Sequence, residues 1–218
     1  MKFRHFTALL LLASSWGLSP ATWAQTATKA PLPVVLIVGD SLSAEYGLRR
    51  GSGWVALLQA EMDRQGPAAS VVNASISGDT TSGGRSRLPA LLRQHQPQVV
   101  VIELGGNDAL RGLPLSMTQD NLNEMTRLSK AAGARVLLLG MEMPPNYGAQ
   151  YSAAFKRLYN DVAKTHSVAL VPFFLAGVAD GPDPLALFQR DRIHPNETAQ
   201  PIMMRNVWPA LRRLLRPR

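Results

Sequence analysis

The 218-residue chain contains no cysteine. That excludes a disulfide framework, a cysteine-held metal centre and a lipid-bearing cysteine at an export junction. His-Glu-x-x-His and clustered His/Asp ligands are also missing, so no metal is expected. Without a dinucleotide fingerprint or a Walker loop, neither NAD nor ATP is expected, and the sequence implies no cofactor. Gly-x-Ser-x-Gly is absent too, which argues against the nucleophile elbow of α/β-hydrolases. Charged residues make up only 17% and aromatics 6%, while 46% of the chain is hydrophobic. Such a balance excludes a disordered tail, a collagen or a repeat array and leaves one globular domain with a sizeable core.

Long apolar runs are lacking except at the N-terminus, where Lys2 and Arg4 precede Ala8 to Ala13 and the small-residue site Thr22-Trp23-Ala24 follows. Residues 1–24 read as an export signal peptide cleaved after Ala24, with a retained anchor as the alternative. The run is short and interrupted by Ser and Gly, a poor membrane span. The expected location is an exported one, the bacterial periplasm first and the exterior second. The formal charge of +8 loses Lys2 and Arg4 with the leader to give +6, part of it in Arg212, Arg213, Arg216 and Arg218. No nucleic-acid signature accompanies this charge, so no nucleic acid is expected. A solvated last helix is the first reading of the basic tail, and weak attraction to an anionic membrane surface the second.

Residues 25–33 read as an extended lead-in, and 34–218 as the domain. Short apolar runs at Val34 to Val38, Ser70 to Ala74, Val99 to Leu104, Val136 to Met141 and Val168 to Phe173 have the length and continuity of strands buried on both faces. Between them, Trp54 to Arg64, Ser86 to His95, Met117 to Ala131 and Tyr151 to Lys164 carry apolar residues at helical spacing, and Glu197 to Leu215 closes the chain as a helix. Five strands alternating with five helices predict an α/β fold with a parallel, doubly wound sheet. The longest irregular stretch, Leu175 to Ile193, is rich in Gly, Asp and Pro and reads as a functional surface loop.

In such sheets ligands bind at the carboxyl ends of the strands. Three polar turns fall on that edge: Gly39-Asp40-Ser41-Leu42-Ser43, Ser75-Ile76-Ser77-Gly78-Asp79 and Gly105-Gly106-Asn107-Asp108. Ser41 would stand at the rim as a nucleophile if a base is near. Gly78 can expose its backbone N–H, and Asn107 offers an amide donor. Two backbone donors and one amide donor aimed at one point would form an oxyanion hole. Asp40 and Asp108 read as turn-shaping residues through Asx hydrogen bonds, Asn73 as a tie between loops, and Ser43 and Ser77 as loop hydroxyls.

Four histidines compete for the role of base. His5 leaves with the leader, and His95 and His166 fall near helix ends on the amino side of the next strand. His194 remains, in Asp191-Arg192-Ile193-His194-Pro195, where Asp191 is close enough to fix the imidazole tautomer. Taken singly, a Gly-Asp-Ser turn or an Asp-x-x-His is a weak pattern. Their conjunction, in order and at strand ends, is strong.

Together these residues resemble the SGNH hydrolases, also called GDSL-type esterases and lipases, whose Ser, Gly, Asn and His match Ser41, Gly78, Asn107 and His194. The stretches GDSLSAEYG, VVNASISGDTTSGG, VIELGGNDALRG, PPNYG, VPFFL and DRIHPNETAQP are similar to the branch that holds bacterial thioesterases, lysophospholipases and arylesterases. The resemblance runs from about Val34 to the last helix. It implies a three-layer α/β/α fold with a five-stranded parallel sheet in flavodoxin-like strand order. It also implies Ser41 as nucleophile, His194 as general base and acid, Asp191 as orienting carboxylate, and an oxyanion hole from Ser41, Gly78 and Asn107.

The expected activity is therefore hydrolysis of acyl esters, aryl esters, thioesters or lysophospholipids through an acyl-enzyme, on a small-molecule ester or lipid, by a monomer. An exported location disfavours cytoplasmic acyl-CoA. Leu110 to Leu115 and Met143 to Tyr147 could contact an acyl chain, or simply pack as loops. The rivals are a carbohydrate O-acetyl esterase and a non-catalytic lipid- or glycan-binding module, the latter disfavoured because Ser, Asn and His are all present.

Overall fold

The computed structural model describes Met1 and residues 32–216 other than 68 and 184. The predicted leader, apart from Met1, and the lead-in, apart from Leu32 and Pro33, lie outside the described residues. Five strands, β1 (Val34–Gly39), β2 (Ser70–Asn73), β3 (Val99–Glu103), β4 (Arg135–Leu139) and β5 (Ala169–Val171), pair in parallel in the order β2-β1-β3-β4-β5. Every residue of β3 and all but the first of β1 are buried, the burial that a strand covered on both faces imposes. Each apolar side chain so placed contributes about 1.5–3 kcal/mol by leaving water. At the edges the signal weakens: β2 exposes Ser70 and Asn73, and β5 is three residues long.

Among the described residues, six helices connect and cover the sheet: α1 (Trp54–Gln65), α2 (Thr81–His95), α3 (Gly106–Leu110), α4 (Leu115–Ala131), α5 (Ala149–His166) and α6 (Gln200–Leu215). α1 packs against α6, whereas α2 packs against α4 and α4 against α5. Right-handed crossovers explain the division, because the chain steps from β1 one way to β2 and from β3 the other way to β4. The result is three layers, α/β/α. Trp54, Phe155, Tyr159 and Phe174 are the largest wholly buried side chains. Trp54 and Phe174 meet edge to face at 5.3 Å. Among the described residues, no helix is long and apolar enough to cross a membrane.

Several boundaries differ from those predicted. α2 begins at Thr81 rather than Ser86, because the Thr80 side chain accepts the Gly83 N–H and caps the helix. Gly84 hides this turn from a propensity reading, yet a Cβ there would run into the Leu104 side chain just past β3, so glycine lets the helix lie this close. Gly106–Leu110, predicted as part of a loop, is a sixth, short helix. The last helix is divided, with a 3₁₀ turn at Glu197–Ala199 leading into α6. Strands stop short of Ala74, Leu104, Met141 and Phe173, since the chain turns toward the crevice there.

In this strand order β1 and β3 are neighbours whose connections leave in opposite directions. Their carboxyl ends therefore open a crevice between diverging loops.

Candidate active site

Ser41 lies two residues past the end of β1, in a turn closed by Ser43 and Ala44 N–H groups donating to the Asp40 carbonyl and by Tyr46 N–H donating to the Ser41 carbonyl. Its Oγ lies 2.9 Å from His194 Nε2. His194 Nδ1 in turn lies 2.7 Å from Asp191 Oδ2. The other carboxylate oxygen of Asp191 accepts the backbone N–H groups of Ile193 and His194, both at 3.0 Å. These bonds wrap a tight turn that holds Arg192 at φ +59°, a left-handed conformation costly for a residue with a Cβ. Desolvation pushes the Asp191 carboxyl up, but the two backbone donors and the imidazole outweigh it and hold it down at about 2. The carboxylate is charged over any ordinary pH range, as an imidazole-orienting group must be.

The two loops that carry Ser41 and His194 are 153 positions apart in sequence, and Gln189 joins them. Its backbone N–H donates to the His194 carbonyl at 2.7 Å, and its side-chain amide donates to the carbonyls of Tyr46 at 2.9 Å and Pro195 at 3.2 Å. Tyr46 then lays its ring against the imidazole, centroids 4.3 Å apart and planes tilted by 38°. Asn196, beyond Pro195, accepts the N–H groups of Thr198 and Ala199 and so fixes the entry into α6.

Asn107 sits in the first turn of α3. Its Nδ2 donates one hydrogen to Asp40 Oδ2 at 3.0 Å, which leaves the second for another acceptor. Asp40 also accepts the Leu42 N–H at 3.0 Å, the Asx turn predicted for it. Gly78 adopts φ +80°, a conformation suited to glycine, and its carbonyl accepts Arg111 Nη2 at 2.7 Å, tying the loop after β2 to that after β3. Asn73 bonds across to the Ser43 carbonyl at 2.7 Å, the predicted tie between loops. Asp108 differs from expectation. Rather than closing its own turn it is fully buried and accepts the Thr81 N–H at 2.9 Å and the Thr81 hydroxyl, pinning α3 to α2.

Beneath Ser41 lies a carboxyl that the sequence reading passed over. Glu103, the last residue of β3, is fully buried; its Oε2 accepts the Ser43 hydroxyl at 2.8 Å and the Asp40 N–H at 3.3 Å. Trp54 Nε1 donates to the same Ser43 hydroxyl at 3.2 Å. Ser43 is thereby held in the interior, and Ser41 is the serine that meets His194. The available signal was a lone acid closing the apolar run Val99 to Ile102. Gln189 and Tyr46 carried no comparable signal. His95 and His166 end α2 and α5, at the opposite edge of the sheet. Among the described residues, no group of three or more His, Cys, Asp or Glu side chains could hold a metal ion.

Residues 37–200 match the GDSL-like Lipase/Acylhydrolase family. The chain belongs to this family. As a GDSL-like acylhydrolase it is a carboxylic ester hydrolase. It is 52% identical over 187 residues to Esterase TesA of Pseudomonas aeruginosa, covering 86% of this chain and 92% of that protein. With Thioesterase 1/protease 1/lysophospholipase L1 of Escherichia coli the identity is 47% over 174 residues, 80% of this chain and 81% of the other. The crystal structure of TesA superposes with a TM-score of 0.80, over 83% of this chain and 99% of that one. A psychrotrophic esterase, EstA from Pseudoalteromonas sp., solved as inhibited by monoethylphosphonate, gives 0.77 at 41% identity, over 84% and 98%. The GDSL-like fold is thus the three-layer α/β/α arrangement with its parallel sheet.

Proposed function

We propose that this ester hydrolase works by a Ser41-His194-Asp191 acyl-enzyme mechanism on esters with an apolar acyl or aryl group. The observation that carries the assignment is the unbroken hydrogen-bonded line from Ser41 Oγ through the imidazole to the Asp191 carboxylate, 2.9 and 2.7 Å. With Nδ1–H donating to Asp191, Nε2 is free to accept the serine proton. Ser41 Oγ then bonds to the ester carbonyl carbon, and the carbonyl electron pair moves onto oxygen. That oxyanion is received by the Ser41 and Gly78 N–H groups and the second Asn107 amide hydrogen. As the tetrahedral centre collapses, His194 returns the proton to the departing alcohol or thiol. Water, deprotonated by the same imidazole, repeats the cycle on the acyl-enzyme and releases the acid.

The rim supports an apolar substrate. Ile76 after β2, Tyr46 after β1, Leu110 after β3, Tyr147 after β4 and Ile193 after β5 are the exposed large apolar side chains of the crevice-edge loops, together with Leu185. One or more comes from each strand-end loop, in sheet order across the site. A carbohydrate acetyl ester has no apolar chain for these side chains to cover. The names of the relatives, esterase, lysophospholipase and arylesterase, point the same way.

The protein acts on a small-molecule ester as a monomer, without nucleic acid, after export to the periplasm by the leader at residues 1–24, its domain running from residue 34. Weak adhesion to an anionic membrane surface through the basic C-terminal turn is a secondary part of the proposal.

The test is hydrolysis of p-nitrophenyl esters from acetate to palmitate by the mature protein, with Ser41→Ala beside it. Turnover that peaks above acetate and vanishes in the variant is expected. A peak at acetate would favour the sugar O-acetyl esterase, and turnover that survives in Ser41→Ala would remove Ser41 from the mechanism.

A further inference from the structure

Two carboxyl groups meet under the nucleophile turn, where water does not reach. Glu103 is fully buried and Asp40 is 3% exposed. The Asp40 backbone N–H donates to Glu103 Oε2 at 3.3 Å, so both carboxyls face one dry junction, where two like charges cannot both stay ionised cheaply. The donor inventory says which of them holds a proton. Asp40 has a hydrogen-bond donor on each oxygen, the Leu42 N–H on Oδ1 and the Asn107 amide on Oδ2, and is the better-supported anion. Glu103 receives its two donors on Oε2 alone, and its Oε1 is buried with no donor. A buried carboxylate oxygen without a donor is costly, whereas an O–H there can itself donate.

We propose that Glu103 is a positioning residue for ester hydrolysis: held as a neutral carboxylic acid, it fixes the Asp40 carboxylate and, through Asp40, the Asn107 amide that receives the oxyanion. The inference rests on the proposed role of Asn107. Burial, and the nearby Asp40 charge after it, both push the Glu103 carboxyl up, in agreement with a neutral acid. The relay runs Glu103 to Asp40 to Asn107, from the end of β3 to the turn after β1 and back to α3. It makes the oxyanion donor a fixed part of the β1/β3 junction. In the other direction, Glu103 Oε2 holds Ser43 and hence the far side of the nucleophile turn. One group therefore sets both the turn that presents Ser41 and the amide that faces it.

The experiment uses Glu103→Gln, Glu103→Ala and Asn107→Ala, alone and combined, in the full-length mature enzyme. A glutamine would present its N–H to Asp40 and its carbonyl to Ser43 and the Asp40 N–H, reproducing a neutral acid. Glu103→Gln should keep kcat within about threefold of wild type. Glu103→Ala should lower kcat by roughly tenfold or more with KM little changed, bounded by the ~10²–10³-fold expected for outright loss of one oxyanion donor. In the Asn107→Ala background the same substitution should cost clearly less than in wild type, because one of the two groups it positions is gone; a merely structural role would instead be additive. Difference infrared spectroscopy of wild type against Glu103→Gln should show the carbonyl stretch of a protonated carboxyl lost in the variant. That spectrum and the kcat of Glu103→Gln decide the matter if Glu103→Ala does not fold. Additive costs, an absent carboxylic-acid band, or a Glu103→Gln enzyme as impaired as Glu103→Ala would each overturn the proposal. Failure of the esterase mechanism itself is separate, since it shows as turnover that persists in Ser41→Ala.

Discussion

Asp191→Asn tests the proposed orientation of the imidazole most directly, and the structure sets its size. Asp191 uses one oxygen for two backbone N–H groups at 3.0 Å and the other for His194 Nδ1 at 2.7 Å. An asparagine that keeps its carbonyl on the two backbone donors must turn its NH₂ toward Nδ1. The imidazole proton then moves to Nε2, and the ring can no longer accept the proton of Ser41. Flipping the amide restores the tautomer but gives up both backbone hydrogen bonds, at about 1 kcal/mol each. Reaching the active arrangement thus costs about 2 kcal/mol, or about 30-fold in rate, before the lost negative charge beside the imidazolium is counted. The corresponding swap in serine-protease triads costs about 10⁴-fold in kcat. We expect kcat on the best p-nitrophenyl ester to fall between about 10²- and 10⁴-fold, with KM changing little, in a protein whose thermal unfolding is otherwise cooperative. Activity within about threefold of wild type would show that Asp191 does not set the tautomer.

Trp54→Ala removes a wholly buried ring that packs on Phe174 and donates to Ser43. It should cost about 3–5 kcal/mol, read as a lower urea midpoint at unchanged slope, and a loss below about 1 kcal/mol would contradict the packing described. Stability should also depend on pH through two carboxyls of opposite sign. Burial raises the Asp40 carboxyl from 3.8 to about 6, against the pull of its Leu42 N–H, Glu103, Asn107 and His194 neighbours, so the folded state retains a proton that the unfolded chain has released. Stability from this group therefore falls as pH rises from the ordinary carboxylate range through its raised folded value. Asp191, lowered from 3.8 to about 2, acts in the other window: its contribution is present above 3.8 and is lost as pH falls toward 2. Urea unfolding of wild type and Asp40→Asn should therefore diverge between pH 4 and 6, and parallel curves there would refute the assignment for Asp40.

Much of the fold was legible because the central strands are buried on both faces. β3 up to Glu103 and nearly all of β1 are apolar, and only two-sided burial selects such runs. The edges were less clear, since β2 has only two apolar residues, both half-buried, and β5 shrinks to three residues beside Pro172. The first turns of α2 and the short α3 were missed for a common reason. Both are rich in glycine and polar residues, and their helical state is decided by contacts distant in sequence: Gly84 against Leu104, and Asp108 against Thr81 and Thr118. Intrinsic propensity cannot report what tertiary packing overrides.

The same division applies to the site. Ser41, Asn107 and His194 stand where apolar strands or a buried proline give way to polar turns, so position along the chain is itself evidence of a place on the crevice edge. The groups that fix their geometry act from inside or across the loops. Glu103 belongs to a strand by pattern and to the site by contact, and Gln189 joins two loops that no local pattern connects. A nucleophile must reach substrate and is therefore pushed to an exposed strand end, where a sequence shows it. Its supports must exclude water and fill space, and so they look like core. That is why the reactive residues of such a site are easier to read than the residues that set their geometry, and why a buried acid at the end of an apolar strand is the feature to look for beneath them.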